Sequence, residues 1–186
     1  MAKGFEFFNL KIPRVDLLSN STRGYHGTTH DAADVILLTD FKAPNQNPDA
    51  YLGGGVYFFD NQLSHACDWA KNHAGGRNKG TRIAVIEADI SYGKLLNLCN
   101  PQQFDDMKWF KDEFERKSNS HTTLATIIDI IAEKVNVDVV RAMRILRQPQ
   151  IIGAGFSTDI ELILAVRNLK NILSKKLIWS GIIGYL

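Results

Sequence analysis

Cysteine is nearly absent: Cys67 and Cys99 are the two among 186 residues, and they stand too far apart for a Cys-x-x-Cys pair. That excludes a disulfide scaffold and a zinc knuckle, and it fits two reduced thiols in a cytoplasmic protein. Long apolar runs are missing too. The opening "MAKGFEFFNLKIPR" has no stretch of signal-peptide length. The last ten residues, "LIWSGIIGYL", supply about half of the ~20 that a membrane span requires. The expectation is a soluble chain without a membrane partner. Neither sign of charge dominates, with 22 Lys and Arg against 20 Asp and Glu. A net charge of +2 is too mild to identify a nucleic-acid partner. No internal repeat or low-complexity stretch is visible, which excludes a solenoid.

What the chain does have is apolar material, 45% of its residues, enough for one core in a single domain spanning 1–186. Its pattern predicts an α+β fold. Thr28-x-x-Asp31 resembles a capping box, with Ala32, Ala33, Ile36 and Leu37 on one face of the helix that follows. "FKAPNQNPDAYLGGG" reads as a loop before the strand-like Val56-Tyr57-Phe58-Phe59. Asp60 or Asn61 then caps a helix carrying Leu63, Ala66, Trp69 and Ala70, ended by Gly75-Gly76. "RIAVIEADI", 82–90, predicts a strand stopped by a "YGK" turn. Three helices are expected over about 104–147, as an insertion, on the spacing of Phe104, Met107, Phe110, Phe114, then Leu124 to Val135, then Val139, Met143 and Leu146. "DIELILAV", 159–166, and the apolar tail return to strands.

Several residues invite chemistry, each with an ordinary alternative. His26 and His30 are four apart, but glycine beside the first and the lack of an intervening Glu argue against a metal pair. Gly53-Gly54-Gly55 lacks the Lys-Ser/Thr of a Walker loop and the GxGxxG spacing of a dinucleotide fold. Tyr57, Phe58 and Trp69 taken singly suit a core as well as a ligand. Glu161 enters an apolar strand, where a carboxylate is expensive unless it faces solvent, is paired, or works. It reads equally as an edge-strand glutamate. "VNVDVVRAMRILRQ" would serve as a packing helix with Arg141, Arg144 and Arg147 on its solvated face. The same arginines with Lys170, Lys175 and Lys176 offer a surface for phosphates.

The order of the pieces is more specific. "YHGT", then "LGGGVYF", then Ala66-x-x-Trp69-Ala70, then a late strand with Glu161 that ends in Val166-Arg167-Asn168, resembles the His-Tyr-Glu class of ADP-ribosyltransferases. That class includes diphtheria toxin and the poly(ADP-ribose) polymerases, and the resemblance covers about residues 24–98 and 155–168. It is stronger to a set of uncharacterised bacterial proteins of the same fold. Aligned on the "VRN" ending, some of those relatives carry glutamine in register with Ile163.

The resemblance implies a split antiparallel sheet with peripheral helices, and NAD as co-substrate without a metal. His26, Tyr57 and Glu161 would be catalytic, with His26, Gly27, Thr28, Tyr57, Phe58 and Trp69 around the NAD. His26 would bond the adenosine ribose and the Gly27 backbone the nicotinamide amide. Tyr57 and Trp69 would sandwich the nicotinamide ring, and Glu161 would stabilise the oxocarbenium-like ribose. The implied function is a bacterial toxin or defence effector that transfers ADP-ribose to a protein or nucleic acid. The loop Gly153 to Asp159 would choose the acceptor, and an antitoxin-type protein would neutralise the enzyme. An NAD glycohydrolase and a non-enzymatic binding module are the competing expectations.

Overall fold

The segment that carries His26-Gly27 is itself a strand, β1, spanning Asp16–Thr29. The computed structural model describes residues 10–42, 50–74, 80–145, 150–152, 155–157 and 159–182. Helix α1, His30–Thr39, follows β1, and its N-cap is Thr29, whose hydroxyl accepts from the Ala32 amide at 3.3 Å. The expected cap at Thr28 is one residue early, because β1 keeps its pairing through Thr29. Strand β2 is Val56–Asp60 and helix α2 is Leu63–Trp69, which widens into a π-turn over Ala70–Ala74. Neither Asp60 nor Asn61 caps α2: Gln62 holds that position and makes no side-chain cap. The expected stop at Gly75-Gly76 lies outside the described residues.

Strand β3, Arg82–Asn97, continues through the expected "YGK" turn, where Gly93 takes a φ of 56° and the register to β1 shifts between Leu18 and Ser21. Its pairing to β1 continues on the far side, Lys94 opposite Leu17 and Leu95 opposite Asp16, so hydrogen bonding overrides the local turn signal. Helix α3, Pro101–Ser118, starts on an Asn100 cap and buries Gln103, Met107, Phe110 and Phe114. Phe104, expected on that stripe, is exposed. Helix α4 is Leu124–Val135. Left-handed Asn136 ends it, and the expected third helix is instead a strand, β4, Val139–Ile145.

The reason is both local and tertiary. β-Branched residues crowd this segment, and it fits between two strands. Val139–Arg141 pair in parallel with Leu95–Asn97 of β3. All of β4 pairs antiparallel with β7, Ile160–Val166. The helical insertion thus shrinks to α3 and α4. Between β4 and β7 lies a small ladder of β5, Gln150–Ile152, and β6, Gly155–Ser157, and β8, Ile172–Ile182, closes the order.

The main sheet is mixed and six-stranded, ordered β1-β2-β7-β4-β3-β8, in an α+β architecture. Because β1 also pairs with β3, five strands close on themselves and β8 lies on an edge of β3. One half of the sheet is β8, β3 and β1, the other β2, β7 and β4. Phe58, Ile86, Ile90, Leu95, Val139 and Leu164 form a core shared by both halves. A second cluster packs α3 and α4 on β4 and β7, and a third packs Ala66 of α2 with Phe59 and Val85. β7 is buried on both sides, so its residues read as a continuous apolar run.

Candidate functional site

The two halves meet narrowly where β1 touches β2. The only pairs are Gly24 with Asp60 and Tyr25 with Phe59. From His26 onward β1 follows β3, while β2 follows β7. A cavity of about 1000 Å³ opens at this parting, and His26, Gly27, Tyr57, Phe58 and Trp69 line it. Five of the seven residues that the resemblance implies for the site therefore line one cavity. Thr28 and Glu161 do not line it.

A buried carboxylate fixes the parting point. Asp60 accepts from Thr22 Oγ1 at 2.6 Å and from Arg141 Nε at 2.7 Å, joining β1, β2 and β4. Asn61 Nδ2 adds bonds to Thr22 Oγ1 at 2.8 Å and Asp60 Oδ1 at 3.0 Å. With both oxygens partnered, Asp60 meets the condition under which a buried charge is tolerated.

His26 spans the gap to β2, its Nδ1 lying 2.8 Å from the Tyr57 carbonyl oxygen. A carbonyl only accepts, so Nδ1 carries the hydrogen and the neutral ring keeps Nε2 as an acceptor. The ring packs against Phe41 at 5.3 Å and Phe58 at 5.7 Å. Burial lowers its pKa from the ordinary 6.5, and the Tyr57 carbonyl opposes that only in part. Folded His26 therefore refuses a proton that the unfolded chain accepts. Its contribution to stability is full above pH 6.5 and is lost as pH falls toward the lower folded pKa. His26→Gln is expected to lose less melting temperature than the wild type between about pH 7.5 and 5.5. Parallel melting curves would contradict the buried neutral imidazole.

Tyr57 is held at both ends. Its hydroxyl accepts from the Leu52 amide at 2.7 Å and donates to the Gly53 carbonyl at 2.8 Å, while burial raises its pKa and keeps it neutral. The glycines are scaffold for this grip. The Gly54 amide donates to Asp129 Oδ1 at 2.8 Å, and Arg167 Nη1 donates to that same oxygen at 2.7 Å and to the Gly54 carbonyl at 2.9 Å. Gly53 has φ of 73°, and a Cβ there would lie 2.2 Å from Asp129 Oδ1. Position 53 thus requires glycine twice over, for its conformation and for its contact. Arg167 of the "VRN" ending acts here, as a clamp on the loop before Tyr57.

Gly27 owes its missing side chain to α2. A Cβ would lie 2.2 Å from the Ala66 carbonyl oxygen, so the helix uses the space. Trp69, at the end of that helix, stacks on His73 at 4.1 Å and 14° and stands 6.2 Å from Phe59. One face of its indole is thereby occupied.

Glu161 is not on an edge strand, since β7 lies between β2 and β4. It is 6% exposed, and Arg144 donates to its Oε2 from Nε at 2.8 Å and from Nη2 at 2.5 Å. Arg144, not Glu161, reaches the cavity wall, as does Ile163, which lies opposite Phe59. Gln62 fastens α2 to this strand by bonds to Ile160 O and Leu162 N at 2.8 and 2.7 Å.

Four of the six residues expected to offer a basic surface are ion-paired. Arg141 and Arg144 sit on β4 in ion pairs, Lys176 pairs with Glu87 at 2.9 Å, and Lys175 pairs with Asp40. Arg147 lies outside the described residues, as do Gly153, Ala154 and Thr158 of the loop Gly153 to Asp159, whose residues Gly155–Ser157 form β6. His30 is bound to Asp34 at 3.3 Å and Arg82 at 2.9 Å.

Phe41, Tyr51 and Phe59, to which the sequence assigns no ligand role, also line the cavity, as does Arg144, expected instead on the solvated face of a helix. Reading 139–145 as a strand was the available signal, because alternation puts Arg144 opposite Glu161.

No protein-family model and no solved structure matches the chain. An uncharacterised protein of Methanocaldococcus jannaschii is 31% identical to it over 67 residues, which cover 36% of this chain and 31% of that protein. The chain thus matches less than a third of its archaeal relative's length.

Proposed function

We propose that this chain is an NAD-dependent ADP-ribosyltransferase of the His-Tyr-Glu class, with its parted β1 and β2 as the split of that fold's antiparallel sheet. The observation that supports it is the convergence of His26, Gly27, Tyr57 and Trp69 on one cavity at the parting. These residues come from three separate elements, and the cavity is of the size that holds a nucleotide-like ligand. The walls suit such a ligand. Tyr57, Phe59 and Trp69 offer aromatic surface to a planar ring. His26, neutral and with Nε2 as acceptor, suits a ribose hydroxyl.

In this reaction the bond between the ribose C1′ and the nicotinamide nitrogen breaks, its electron pair leaving with nicotinamide. The acceptor nucleophile then bonds C1′ and gives up its proton. A site for this step holds the ring rigid and stabilises positive charge on the ribose. Glu161 is the carboxylate assigned to that charge. Because Arg144 holds its Oε2, the assignment requires the pair to rearrange when the dinucleotide enters. The enzyme would act in the cytoplasm as a toxin or defence effector, on a protein or nucleic-acid acceptor and under an antitoxin-type partner.

The test is incubation of the purified chain with NAD labelled in its adenylate portion and a cell lysate. Label is expected on a macromolecule. Label appearing only as free ADP-ribose would make the chain a glycohydrolase, and intact NAD throughout would overturn the proposal.

A further inference from the structure

We infer that Arg144 is a specificity-determining residue of the cavity, one that receives a phosphoryl oxyanion of the ligand. For the identity of that anion, the pyrophosphate of a dinucleotide, the inference rests on the reading above. The anion site itself rests on the geometry alone. Arg144 directs Nε and Nη2 at a single carboxylate oxygen, Oε2 of Glu161. Of the five N–H groups of a guanidinium, this side-on pairing uses two, and Nη1 has no hydrogen-bond partner among the described residues.

The exposures point the same way. The Arg144 side chain is 32% exposed and Glu161's is 8%, so the carboxylate lies behind the guanidinium and the open edge belongs to arginine. That edge lines a cavity whose other walls are largely aromatic and aliphatic. In such surroundings a donor-rich cation is screened less than in water, and its planar fork matches a phosphoryl group.

Two further observations fix Arg144 and the local charge. The Tyr51 ring lies 5.9 Å from the guanidinium carbon, and the Tyr51 hydroxyl donates to the Met143 carbonyl at 3.1 Å, which ties that ring to β4. The other charged groups on the wall are Lys42 and Asp40, and Asp40 is paired with Lys175. Lys42 and the open edge of Arg144 therefore face the ligand, with no unpaired carboxylate among the described wall residues. Before the ligand enters, Glu161 holds the anion-binding group in place.

The experiment is calorimetry of the full chain with three probes: NAD, inorganic pyrophosphate and nicotinamide riboside, which lacks a phosphate. Arg144→Gln is expected to weaken NAD and pyrophosphate by about tenfold or more and to leave the riboside unchanged. Arg144→Lys should lie between, keeping the charge and losing the fork. Equal affinities in wild type and Arg144→Gln would overturn the anion site while leaving the NAD reading intact. Pyrophosphate binding that depends on Arg144, without any NAD binding, would keep the anion site and refute the dinucleotide. A wild type that binds neither refutes both. Should Arg144→Gln fail to fold, Glu161→Gln serves instead: with the competing charge removed, pyrophosphate should bind several-fold tighter. Unchanged or weaker binding there would also overturn the inference.

Discussion

Asp129→Ala is expected to cost about 3–5 kcal/mol of folding stability, the range for breaking a buried ion pair from one side. The substitution removes one acceptor and strands two donors. Arg167 is left as a cation with a side chain only 18% exposed, and the Gly54 amide loses its bond at 2.8 Å. Urea denaturation measures the loss. Asp129→Ala with Arg167→Met should recover part of it, because removing both charges leaves nothing uncompensated. A single-variant loss under about 1 kcal/mol would mean that the pair is solvated. The damage should also reach the cavity, since Leu52 and Gly53 hold the Tyr57 hydroxyl.

The second large effect comes from one methyl group. Gly27→Ala puts a Cβ at 2.2 Å from the Ala66 carbonyl oxygen and 3.0 Å from the Ala70 amide. Both are backbone atoms of α2 and its continuation, so no side chain can swing aside. The helix must shift on β1, at a cost of about 3 kcal/mol or more, toward the upper end for overpacking. Hydrogen exchange should show early opening of 63–74 in the variant, and denaturation should show the loss. Wild-type exchange across that segment would mean that α2 has room to move. Because Trp69 rides on this helix, ligand affinity should fall with stability.

The sequence revealed most of what hydrogen bonding and side-chain pattern dictate locally. Helices α1, α3 and α4 and strands β2, β7 and β8 follow from cap, stripe and alternation. Segment 139–145 was misread because Val139 and Met143 also fit a helical spacing, and only the flanking strands decide between the two periods. The "YGK" turn failed for the same reason, its flanks being paired on both sides of Gly93.

At the site, His26, Gly27, Tyr57, Phe58 and Trp69 were legible as a group, and all five line one cavity. Thr28 was not, being paired opposite Ala84 away from the wall. Glu161 was recognised as an expensive carboxylate. Its partner Arg144 was hidden, because their meeting depends on strand register across seventeen residues. The role of Arg167 was equally unreadable, since its partners lie 38 and 113 residues away.

The closed ring has a consequence during synthesis. A ribosome delivers His26 and Tyr57 early, yet the strand that flanks Tyr57 is β7, and the arginine that clamps its loop is residue 167. Until that point has left the exit tunnel, β2 lacks its neighbour and the cavity lacks its Arg144–Glu161 corner. Ring closure brings together partners distant in sequence, which is slow and comes late in folding. A nascent chain therefore lacks the finished cavity until the residues through Arg167 have emerged to flank β2 and clamp its loop.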